Sequence, residues 1–120
     1  MNIWSWVHET TRSLQGEKTP EAKRLAMLMR EVPGYVTDDD HAKLDAAIPE
    51  ALALAKAAKL PWVELFFRHW DLQSRVLKRF EGEKALGDAV ALVDFAHSEA
   101  AHGCPQAVCT VQDLGVAYGI

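Results

Sequence analysis

Residues 57–62, Ala57-Ala58-Lys59-Leu60-Pro61-Trp62, and residues 100–105, Ala100-Ala101-His102-Gly103-Cys104-Pro105, decide how this sequence folds. In both, an alanine pair runs into a proline, the second stretch carrying one extra residue. Proline has no N–H to continue a helix, yet its fixed φ suits the first helical turn. Each stretch therefore closes one helix and opens the next. With Pro61 set over Pro105, Phe67 falls over Val111 and Trp70 over Leu114, so large apolar residues stand at equal depth in the two copies. A short turn followed by a helix that packs on the preceding pair is what stacked antiparallel helix pairs require.

Outward from these copies, the remaining punctuation also marks helices. Ile3, Trp6, Val7 and Leu14 recur at helical spacing, and Gly16 ends the run. Thr19-Pro20-Glu21 combines a hydroxyl cap, a proline at the first helical position and an acid at the positive helix end. The helix it opens carries Leu25, Leu28, Met29 and Val32 and is expected to stop at Pro33-Gly34. Asp38-Asp39-Asp40 suits a further N-terminus better than a calcium loop, which needs a central glycine. That helix runs to Lys59 with a bend at Pro49. A long helix is expected from Pro61 to about Glu81, carrying Leu65, Phe66, Trp70, Val76, Leu77 and Phe80. Gly82-Glu83-Lys84 reads as a turn, Ala85 to about His102 as a helix ended by Gly103, and Gln106 to Tyr118 as the last. No alternating run supports a strand. The expected fold is all-α and one domain over residues 1–120, with N-terminal helices in 1–36 and repeat-like helix pairs in 37–120.

Composition agrees with that reading. The chain has 120 residues, 49% hydrophobic and 25% charged, with a formal net charge of -4. This is too apolar for disorder and too acidic for a general nucleic-acid binder, which needs cations against phosphate. Alanine and leucine (18 and 13) outnumber valine, isoleucine and threonine (10, 3 and 5), which favours helices. No stretch approaches the ~20 apolar residues that cross a bilayer, and the N-terminus lacks a basic n-region. The expected compartment is the cytoplasm, with no membrane partner. Cys104 and Cys109, five apart in a segment read as helical, point apart and are expected as reduced thiols.

Val111-Gln112-Asp113-Leu114-Gly115-Val116-Ala117-Tyr118 resembles the opening of a tetratricopeptide repeat, whose first helix follows W-x2-L-G-x2-Y, with Val111 in place of the tryptophan. Pro105 stands six residues earlier, where that family often closes the previous repeat. Gly115 permits close helix approach, and Leu114 and Tyr118 share a face at i and i+4. The resemblance spans residues 41 to 120. It implies antiparallel helical hairpins stacked as a short tetratricopeptide-like right-handed α-solenoid. It also implies a protein–protein interaction module that holds a peptide or partner protein in a helical groove, as scaffolds and sensor domains of bacterial regulators do. Arg68, Leu72 and Arg75 would then line the concave face.

The candidate binding residues are Trp62, Arg68, His69, Leu72, Arg75 and Arg79. Two guanidiniums a turn or two apart can hold a partner's carboxylate. Glu64 to Arg68 and Asp71 to Arg75 are also i, i+4 acid-before-base pairs, which decorate a solvated face without any partner. A weaker option is RNA contact along Arg68 to Arg79. The alternative function is a small helical enzyme or ligand-binding bundle around His97, His102 and Cys104. There the free N–H groups of the last helix would favour a Cys104 thiolate, with His102 as base. His97 and His102 diverge on a helix and no CxxC or HExxH is present, so neither a metal, another cofactor nor catalysis is expected. The last helix is apolar, with no charge after Asp113, and Val111, Leu114 and Tyr118 are its candidate interface. The chain is then a fragment of a longer array, a bundle closed by its last helix, or one subunit of a homodimer.

Overall fold

A computed structural model describes residues 2–117, and among them every regular element is helical. The helices are α1 (Ile3–Gly16), α2 (Pro20–Thr37), α3 (His41–Ala57), α4 (Pro61–Gln73), α5 (Gly82–Ala96) and α6 (Ala107–Ala117), with a π-helical turn, Ser74–Lys78, continuing α4. Side chains cap three of the starts. Asn2 accepts from the Ser5 amide at 2.8 Å, Thr19 from that of Ala22 at 3.3 Å and Asp40 from that of Lys43 at 3.3 Å. Pro20 and Pro61 occupy first turns. Three ends turn through a left-handed residue that is not glycine: Asp39, Lys59 and Phe80, each at φ 57°. The amide of Asp40 then reaches Tyr35 O at 2.9 Å, and that of Leu60 reaches Ala55 O at 3.0 Å. After the π turn the equivalent bond, Glu81 N to Arg75 O at 2.8 Å, is one residue wider.

The helix from Pro61 gives way to the π turn at Ser74 and ends before Glu81, and three further boundaries differ from the sequence expectation. The second helix does not stop at Pro33-Gly34 but runs to Thr37, because Val32 and Val36 on either side are buried and hold that turn against the core. Gly82 is the first residue of α5 rather than part of a turn. A Cβ there would lie 3.2 Å from Ala117 O, so the missing side chain admits the end of α6. The fifth helix ends at Ala96, short of His102, where side chains compete for its last carbonyls. His97 Nδ1 bonds Val93 O at 2.8 Å and Ser98 Oγ donates to Phe95 O at 2.6 Å. Turns then carry the chain through Gly103, at φ 87°, to α6, so residues 100–105, unlike 57–62, neither close a helix nor open one: α5 has already ended and α6 begins two residues beyond Pro105.

Each helix packs on its successor, and the even helices also touch in order, α2 on α4 and α4 on α6. The fourth helix buries apolar residues on two sides. Val63, Phe66 and Phe67 enter one core with Trp6, Leu25, Leu28, Met29 and Leu44. Leu65 and Leu72 enter a second with Ala85, Ala89, Leu92 and Cys104. Each fully buried Leu or Phe contributes roughly 1.5–3 kcal/mol. Trp62 packs against both cores, and Trp6 of α1 lies 6.1 Å from its ring and 6.0 Å from that of Phe66. No described helix is long and apolar enough to cross a membrane.

Candidate interaction groove

Seven residues separate Arg68 from Arg75, close to two helical turns, so both point to one side of α4. A cleft of about 200 Å³ opens there, lined by Leu52 of α3, Arg68, Asp71 and Leu72 of α4, Arg75 of the π turn and Asp88 of α5. Leu72 forms its floor and is only 3% exposed. Arg68 stands over the Phe95 ring at 4.8 Å and pairs with Glu64 at 3.5 Å. Arg75 bridges two carboxylates, Asp88 at 2.8 Å and Asp71 at 3.6 Å. Burial pushes the Asp71 carboxyl above the usual range, against the pull of Arg75 and Arg79. Asp88 is the exposed member of the set. The cleft thus holds two guanidiniums and two carboxylates, and its most replaceable contact is Asp88 on Arg75.

The other candidate residues lie elsewhere. Trp62 is the joint between the cores, with Gly103 against its ring and the Cys104 thiol 3.9 Å from its carbonyl. Arg79 clamps the α4 end to α3, reaching the two Asp45 oxygens at 2.9 and 3.0 Å and His41 O at 3.3 Å. With Lys78 on Asp39 at 3.4 Å, every Lys and Arg from 68 to 79 has a carboxylate within 4 Å. A phosphate on these cations would compete with those carboxylates. His69 is buried, and its Nδ1 lies 2.6 Å from Asp113 Oδ2 of α6. His69 and Asp113 are 44 residues apart, the same interval as Pro61 and Pro105. Two positions that the proline alignment sets over one another therefore meet.

The helix N-terminus does act on Cys104 in the expected direction, since the amides of Gln106 and Ala107 favour its thiolate. Burial outweighs them and pushes the thiol up to about 11. At neutral pH it is mainly the protonated thiol, the less reactive form. His97 bonds its own helix and His102 is exposed on the following turn. Among the described residues no group of three His, Cys, Asp or Glu could hold a metal ion.

On α6, Val111 is 57% exposed and Val108 74% exposed, while Leu114 is partly buried against the second core. Phe67, which the repeat sets over Val111, is fully buried because α4 has neighbours on both sides. Tyr118 lies outside the described residues. Two participants escaped the sequence reading. Asp88, thirteen residues beyond Arg75, carries no local signal. Asp113 could have been found by extending the proline alignment to His69. The chain matches no family model, no curated protein and no solved structure.

Proposed function

We propose that this chain is a protein–protein interaction module, a scaffold or adaptor domain whose α4 groove receives an acidic peptide segment of its partner. One observation carries the reading: Arg68, Leu72 and Arg75 share a cleft with Leu52 and Asp88. The partner's carboxylate takes the place of Asp88 on Arg75, and Arg68 supplies a second cation about two turns away. Trp62, His69 and Arg79 support the groove rather than touch the peptide. The packing order favours a short tetratricopeptide-like right-handed solenoid, because translation along a stack brings equivalent residues such as His69 and Asp113 together. Self-association through Val108 and Val111 of α6, with Leu114 at its edge, belongs to the same proposal, as does a cytoplasmic setting.

Peptide-array screening followed by fluorescence polarisation tests the groove. Bound sequences should be acidic, and Arg68→Ala with Arg75→Ala should abolish binding while leaving the circular dichroism spectrum intact. Asp88→Asn should tighten binding by freeing Arg75. Selection of peptides without acidic residues, or indifference to all three changes, rejects the reading.

A further inference from the structure

A second cleft lies where the end of α1, the start of α2 and the α3–α4 turn converge. Its volume is about 400 Å³, twice that of the α4 cleft. Leu14, Ala22 and Leu25 form a buried floor, Leu54 and Leu60 are partly exposed walls, and Ala57 and Ala58 leave the mouth open. The charges lining it have one sign, from Glu17 and Glu21. Both are exposed, and neither takes part in an ion pair among the described residues.

The helix ends there reinforce that sign. The C-termini of α1 and α3 present partial negative charge at the mouth, and the acids add to it. The opposing contribution is the N-terminus of α2, whose first amides are already engaged: Thr19 caps Ala22, Pro20 has no N–H and Glu21 sits in the first turn. Lys18, Lys23, Arg24, Lys56 and Lys59, each next in sequence to a lining residue, do not themselves line the cleft. An apolar floor beneath unpaired carboxylates is complementary to an apolar side chain that carries a cation beside it.

We infer that this cleft is a second peptide-docking site, whose occupant is a basic segment with one large apolar residue one or two positions from a Lys or Arg. The apolar side chain rests on Leu25 and Leu54, and the cation meets Glu17 and Glu21. Arg68 and Arg75 play no part in it, so it stands or falls separately from the α4 groove. A domain so built joins an acidic segment on one face to a basic one on another.

The test uses three labelled decapeptides in fluorescence polarisation: one leucine next to two arginines, the same with glutamates for the arginines, and the same with serine for the leucine. The first should bind and the other two should bind at least about tenfold more weakly. The change Glu17→Gln with Glu21→Gln should weaken the first peptide about three- to tenfold and flatten its salt dependence. Ala58→Arg, at an exposed position, should block it, whereas Arg68→Ala with Arg75→Ala should leave it unchanged. Amide shifts should centre on Ala22, Leu54 and Ala57 in nuclear magnetic resonance spectra. Equal binding of all three peptides, no binding of the first at millimolar concentration, or a wild-type dimer that Ala58→Arg splits would each overturn the proposal.

Discussion

At the residue scale, the candidate cations are defined by their partners more than by their own charge. Arg75 touches two carboxylates and Arg79 grips both oxygens of one, so the same residue type serves a cleft in one case and a helix junction in the other. Asp71 reports on this balance. Its folded carboxyl titrates above its unfolded value because burial disfavours the charge. The unfolded chain therefore ionises first as pH rises, and stability is lost across the window from the ordinary aspartate range up to the raised value. Above that window the cost is fully present; below it, absent. Asp71→Asn should thus gain stability relative to the unmodified protein as pH rises from 3 to 7, measured by urea unfolding. A stability difference that does not change with pH would show that Arg75 cancels the burial cost. The i, i+4 spacing of Asp71 and Arg75 was legible in the sequence. The direction of the shift was not, since burial depends on α3 and α5.

At the element scale, the π turn decides which apolar residues the core receives. One additional residue in a helical turn rotates the next side chains by roughly 100° about the axis. Val76 stays buried, whereas Leu77 is 47% exposed and Phe80, the left-handed residue past the turn, 88%, although Val76 and Phe80 would share a face at i and i+4 in an α-helix. The pairing of α4 with α6 is the second element-scale event. His69 and Asp113 bury a short hydrogen bond between helices 44 residues apart. Removing one partner leaves the other buried and unpaired. Asp113→Ala should cost about 1–3 kcal/mol. The double change with His69→Ala should fall short of the sum of the single losses by about 1–3 kcal/mol. Chemical unfolding of the four proteins measures this coupling, and strict additivity would mean that the pair is not an energetic contact. His69 and Asp113 stand at one position of the proline alignment, so that alignment already contained the pair.

For the whole molecule, the neighbours of a helix set the fate of its face. The fourth helix has α2 on one side and α6 on the other and buries apolar residues toward both. The sixth packs on α5, α4 and the π turn, leaving Val108 and Val111 outward. Among the described residues it does not pack substantially on α1. If a second copy covers that face, size-exclusion chromatography with light scattering should give a dimer at high concentration, and Val108→Lys with Val111→Lys should return it to monomer. A monomer at all concentrations would remove self-association from the proposed function.

Helix number and most helix starts were determined by the sequence alone, because capping side chains and prolines act on the four or five residues around them. Pro20 and Pro61 open helices for that reason, and Thr19 caps one. Besides the π turn, three boundaries escaped, and each time the deciding partner was not local enough to read or competed with a local rule. Buried Val32 and Val36 carried α2 past Pro33. The end of α6 needed Gly82 bare. His97 and Ser98 turned back on their own helix. The candidate groove divides the same way. Arg68, Leu72 and Arg75 share a face by helical geometry alone, so the sequence could place them together. Only the tertiary structure supplied Leu52 and Asp88, buried the His69 side chain and raised the Cys104 thiol, because charge balance and desolvation come from helices distant in the chain.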